Sequence, residues 1–182
     1  MPGVGKSFVA DRFAHDHAGR FPGGHIRLVL DPKNPGAPET LLNELADRLK
    51  IPGGSDLVDR VRERLRRPRT LLHLENVDSP KAEITAGRLL QGLHGGAVIV
   101  TGRLHDLGLA FGWRQVRIGT FDEETALSQL RGELGWSPAE SEDTDHRELV
   151  RSLGYLPLAV HLAAGHLRSG RSVTGFLRKL RQ

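Results

Sequence analysis

Three short apolar runs, spaced by amphipathic stretches, leave this chain few ways to bury its core. They are "HIRLVLD" (25–31), "TLLHLENVD" (70–78) and "AVIVTGR" (97–103), with "QVRIG" (115–119) as a weaker fourth. Strands that are apolar along their whole length are covered on both faces, and parallel strands need crossovers long enough to hold a helix. The stretches between the runs supply those helices. Residues 38–50 place Leu41, Leu42, Leu45 and Leu49 at helical spacing, with Pro38 near the start. Residues 55–67 follow a Pro-Gly-Gly break and open on Ser55, a capping residue. A helix over roughly 80–93 precedes the third run, and 6–18 reads as a helix with Phe8, Val9 and Phe13 on one side. The pattern predicts an α/β fold built on a parallel sheet.

After Thr120 the pattern changes to four helical stretches with no strand among them, and 136–145 reads as a polar acidic loop. The expected organisation is a sheet domain over 1–120 and a small all-helical subdomain over 121–182. Hydrophobic residues make up 38% of the chain and 22 residues are glycine, which suits a globular protein rather than a disordered one. A net charge of +4 does not by itself imply nucleic acid. There is no cysteine, which excludes disulfides and thiolate metal sites and suits the cytoplasm. No apolar run has the length of a membrane span.

The chain opens "MPGVGKSFVADRF". Gly3, Gly5, Lys6 and Ser7 match the end of the phosphate-loop pattern G-x-x-x-x-G-K-[ST], in which glycines let backbone N–H groups approach phosphate oxygens. Pro2, Gly3, Val4, Gly5, Lys6, Ser7 and Phe8 are the expected nucleotide-binding stretch. Lys6 would reach the β- and γ-phosphates, and the Ser7 hydroxyl would serve Mg²⁺. The alternative is a Gly-rich turn that simply starts a helix. Glu75, at the end of the second run, stands where a nucleotide hydrolase keeps the carboxylate that holds Mg²⁺ through its water shell. Asn76 occupies the place where many such enzymes carry a base, and its amide cannot accept a proton, so hydrolysis is expected to be slow. His73, inside that run, reads as a hydrogen-bonded core residue. Arg103 ends the third run and would lie beside a γ-phosphate. Pro157, after Gly154, starts a strongly apolar helix in "LGYLPLAVHLAAGHL".

Taken in order, "PGVGKS", "LLHLEN", "VIVTGR" and "GYLPLAV" resemble the nucleotide-binding region of the STAND class of P-loop NTPases, in its NB-ARC branch. The Arg-rich style also looks like bacterial regulators of the SARP type. The resemblance spans essentially the whole chain. It implies a P-loop sheet followed by a helical subdomain, Pro157 near adenine, Arg103 as γ-phosphate sensor, and an ADP/ATP switch that oligomerises and signals, for instance in transcription regulation. Lys6, Glu75 and Arg103 are then the catalytic candidates, Ser7 and Glu75 the Mg²⁺ ligands, and ATP or ADP the cofactor. Departures are Glu75 for Asp, Thr-Gly-Arg for Thr-Ser-Arg, and a first loop glycine that would precede Met1. The chain is therefore expected to be part of a longer protein with flanking domains. A gap or distortion is expected between the strand carrying Glu75 and the "VRI" run, where the missing first strand would lie, together with poor nucleotide binding.

Six arginines lie between Arg60 and Arg69, but Leu57, Val58, Val61 and Leu65 form a core stripe that leaves most of them facing water. Asp56 with Arg60 and Glu63 with Arg67 are spaced to pair. No aromatic is interleaved, so direct nucleic-acid binding is not expected. The nine histidines show no metal-ligand spacing. Two other readings remain: a non-catalytic interaction or oligomerisation module on a P-loop scaffold, and a DNA-binding AAA+-like ATPase.

Overall fold

The computed structural model describes residues 2–31, 33–135, 143–170 and 172–180. It divides into two compact units, Lys6–Val116 and a second made of Met1–Gly5 with Arg117–Gln182. The first holds an open three-stranded parallel sheet: β1 (His25–Val29), β2 (Leu71–Glu75) and β3 (Ala97–Val100), in the order β1-β2-β3. Leu28 lies opposite Leu74, and Leu74 opposite Val100. Its helices are α1 (Lys6–Asp16), α2 (Pro38–Arg48), α3 (Leu57–Arg66) and α4 (Pro80–Gly92).

Alternation along the strands makes the two faces of this sheet chemically different. Leu28, Leu72 and Leu74 join a core with Leu41, Leu45, Val61, Leu65, Ala86 and Leu89, drawn from α2, α3 and α4. The opposite face carries Leu71, Ala97 and Ile99, packed with Ala14 of α1 and Phe21. On that same face the alternation places His25, Arg27, His73 and Glu75. The expected apolar side of α1 is not what packs: Ala10 and Ala14 are buried, while Phe8 is 72% exposed and Val9 and Phe13 are exposed too.

Helix starts follow their chemistry. Ser79 caps α4 by accepting from Ala82 N–H at 3.2 Å, and Pro80 takes the first turn. For α3 the cap position is Asp56 without a side-chain cap bond, so Ser55 does not serve as expected. In α3, Leu57, Val61 and Leu65 are buried as the stripe requires, Val58 is exposed against expectation, and the pairs Asp56–Arg60 (3.5 Å) and Glu63–Arg67 (3.6 Å) form. Arg62 and Arg66 do not simply face water. Arg62 donates twice to Gly92 C=O, at 2.8 and 2.6 Å, and Arg66 donates to His94 C=O at 2.8 Å. These guanidinium groups satisfy carbonyls where α4 ends.

One expectation is corrected: "QVRIG" forms no strand, and Val116 is 79% exposed. β2 is paired with β1 on one side and β3 on the other, so the open sheet ends at β3 and residues 115–119 stay outside it.

The second unit is helical: α5 (Glu123–Leu134), α6 (Asp143–Ser152), α7 (Pro157–Leu167) and α8 (Val173–Leu180). Leu127, Leu130, Leu149, Val160, Ala164 and Leu177 form its own core. Asp122 caps α5, accepting from Thr125 N–H at 2.7 Å, and that bond holds its carboxyl below the usual range. Of the expected acidic loop, residues 136–142 lie outside those described, and 143–145 begin α6.

Candidate phosphate-loop region and its acidic and basic strand ends

Gly3 and Gly5 take φ values of +77° and +91°, conformations that a Cβ disfavours. Val4 between them is buried and Pro2 is exposed. Gly3 C=O accepts from Leu158 N–H at 3.2 Å, so the Gly-rich loop is tied to the first turn of α7. Pro157 itself is half-buried at that turn, and Gly154 just before it has φ +61°. Two sequence motifs separated by about 150 residues thus meet within the helical unit.

In the sheet unit, Lys6 begins α1 and is half-buried. The Ser7 hydroxyl donates to Glu75 Oε1, joining the first turn of α1 to the end of β2. The other Glu75 oxygen, Oε2, lies 3.4 Å from Arg27 Nε, and the Glu75 side chain is only 14% exposed. A hydroxyl and a half-buried carboxylate that converge are oxygen donors of the kind Mg²⁺ takes. Phe8 points elsewhere, largely into solvent.

The basic strand end is held differently. Thr101 N–H donates to Leu74 C=O (2.9 Å), and Val77 N–H donates to Thr101 C=O (3.0 Å), so 101 continues the ladder beyond β3. Asn76 sits at φ +63°, a left-handed conformation that asparagine tolerates better than most residues. At Gly102 an added Cβ would collide with the Val77 carbonyl oxygen. Arg103 pairs with Asp78, Nε at 2.7 Å and Nη2 at 2.6 Å from Oδ2, and this hydrogen bond raises the arginine further above its usual value. Asp78 was not singled out in the sequence, because nothing local distinguishes the partner of Arg103 from its other acidic neighbours.

Above β1 and β2 lies a polar pocket of residues under α1. His73 is fully buried, with Nε2 3.0 Å from Thr101 Oγ1, as a core histidine should be. Its ring stacks on His25 at 5.7 Å and 13°. Burial pushes His73 below the ordinary histidine range, and Glu75 and Asp11 oppose that shift in part. Its Nδ1 is buried and has no hydrogen-bond partner among the described residues. Asp11, His25 and His73 bring one ligand atom each to within 4.8 Å of one another. Sequence spacing could not reveal this group, since its members come from α1, β1 and β2.

No helix among the described residues is long and apolar enough to cross a membrane. No family model matches the chain. It is similar to the regulatory protein AfsR of Streptomyces coelicolor, 31% identical over 178 residues, and to that of Streptomyces griseus, 32% identical over 183 residues. Each match covers 94% of this chain but only 18% of the relative's length. The similarity is thus a distant one, to a stretch of a much longer bacterial regulatory protein.

Proposed function

We propose that this chain is the ATP/ADP-binding switch module of a bacterial regulatory protein of the STAND class, with slow ATP hydrolysis. Residues 1–120 would be its nucleotide-binding part and 121–182 its helical subdomain. The observation that carries the reading is the hydrogen bond from Ser7 to Glu75. It brings the residue after the loop lysine onto the acidic end of a buried parallel strand, the pairing that Mg²⁺-nucleotide chemistry requires. The positive φ values at Gly3 and Gly5 and the relationship to AfsR support it further.

In this reading the loop amides at Gly3, Val4 and Gly5, flanked by Pro2 and Phe8, and the Lys6 ammonium hold phosphate. Ser7 and Glu75 would hold Mg²⁺, whose charge would offset that of the phosphates, and Pro157 would be the adenine-side residue. Arg103, paired with Asp78, would sense the γ-phosphate. Asn76 offers an amide where a base would stand, which keeps hydrolysis slow. Oligomerisation and signalling through flanking domains would follow from the nucleotide state.

Binding of fluorescent ADP and ATP analogues with Mg²⁺ tests the core claim. Lys6→Ala should weaken binding by roughly 10-fold or more, the loss of one charge-assisted phosphate contact. Binding by the variant equal to that of the unaltered chain would sink it. Asn76 in its left-handed turn favours a second reading, an interaction module without catalysis. Bound ATP that stays intact over many hours, with oligomerisation indifferent to it, would decide for that reading.

A further inference from the structure

The polar layer beneath α1 contains a group that nucleotide binding does not use. Asp11 stands one helical turn after Ser7, His25 opens β1, and His73 lies at the centre of β2. Their ligand atoms lie within 4.8 Å of one another. We propose that Asp11, His25 and His73 form a site for a single divalent transition-metal ion of the Zn²⁺ or Co²⁺ type, with water as the fourth ligand.

The orphaned atom of His73 points to a ligand. In the tautomer whose Nε2–H donates to Thr101 Oγ1, 3.0 Å away, the lone pair is on Nδ1. That nitrogen is buried and unpartnered among the described residues, a cost that ring stacking on His25 does not offset. A ligating histidine whose other ring N–H is fixed by a hydrogen bond is the usual arrangement at zinc sites. Two imidazoles and a carboxylate suit a borderline-soft ion better than Mg²⁺, which takes oxygen ligands.

Bonds of about 2.0–2.1 Å would draw the donors to roughly 3.3 Å from one another. His73 is anchored by Thr101, so the closure falls to Asp11 and His25, both exposed. Arg27 is the cation already present. Its Nη1 lies 3.4 Å from Asp11 Oδ2 and its Nε 3.4 Å from Glu75 Oε2. Asp11 keeps its second oxygen for the metal, and Glu75 supplies a compensating charge to Arg27. His15 and His17 stand elsewhere on or just beyond α1 and are exposed or half-exposed, so they serve as controls.

The test is a Co²⁺ titration of the full chain, prepared without a histidine tag and followed by visible d–d absorption, with Zn²⁺ as competitor. Saturation at one equivalent, reversed by Zn²⁺, is expected. His25→Ala and Asp11→Asn, both at exposed positions, should each weaken binding at least about 10-fold, and Thr101→Val should weaken it by a similar factor through His73. The double variant His15→Ala, His17→Ala should leave it unchanged. Absence of a saturable absorption band, or binding that survives His25→Ala, would overturn the proposal. Either result leaves the nucleotide reading standing, since that rests on Lys6, Ser7 and Glu75.

Discussion

A side chain at position 102 has no room. An added Cβ would strike the Val77 carbonyl oxygen and sit 3.0 Å from the carbonyl carbon, and this is backbone that cannot swing aside. Val77 is held there by its own N–H bond to Thr101 C=O and by full burial of its side chain. Glycine in Thr-Gly-Arg, which departs from the pattern the chain resembles, therefore has a steric cause. Gly102→Ser would introduce the serine of the pattern the chain resembles, yet it should cost about 1–3 kcal/mol, as overpacking does. Urea denaturation measures it, and a variant as stable as the parent would refute the steric explanation. Because the same bend positions Arg103 over Asp78, the substitution should also disturb that ion pair.

Between elements, the α5–α6 connection rests on a charge network. Glu123 accepts from Arg147 Nη1 at 2.6 Å and from Tyr155 Oη at 3.2 Å, with Arg151 Nη2 3.5 Å away. The bond from Arg147 is foremost in holding this carboxyl below the ordinary glutamate range. A carboxyl lowered on folding contributes stability above its unfolded value of about 4.3, and loses it as pH falls through the folded value. Unaltered protein should thus exceed Glu123→Gln in stability at pH 7, and the difference should close on acidification below about pH 4. Urea midpoints at several pH values measure this; a gap constant from neutral to acid would contradict it. Local spacing announced the Asp56–Arg60 and Glu63–Arg67 pairs and the buried stripe of α3, because all those partners lie within one or two turns. It could not announce Arg62 on Gly92, 30 residues away, nor Asp11, His25 and His73 as neighbours, since these depend on how elements meet. "QVRIG" failed as a strand for a related reason. Alternation supplies a propensity, whereas a strand needs a partner's backbone, and 115–119 has none among the described residues. The four motifs were legible as residues, but only the fold could show that Ser7 meets Glu75 and that Arg103 meets Asp78.

Among the described residues, the two larger of three buried clusters share no residue. One gathers Leu28, Leu45, Leu72, Leu74 and Val61 around the leucine-rich face of the sheet; the other gathers Leu127, Leu130, Leu149 and Val160 among α5, α6 and α7. A cavity made in one core removes contacts only from that core, so its cost should stay local. Leu130 has no exposed surface, and Leu130→Ala should destabilise the helical unit by about 2–5 kcal/mol. Hydrogen exchange followed by mass spectrometry resolves where that loss appears. Amides of α5, α6 and α7 should lose protection by roughly the corresponding factor, while those of β2, central in its sheet, should keep theirs. Leu74→Ala should do the reverse, loosening β1, β2 and β3 and sparing α5 to α7. If either substitution lowers protection equally throughout, the two cores unfold as one, and the chain must be treated as a single cooperative unit.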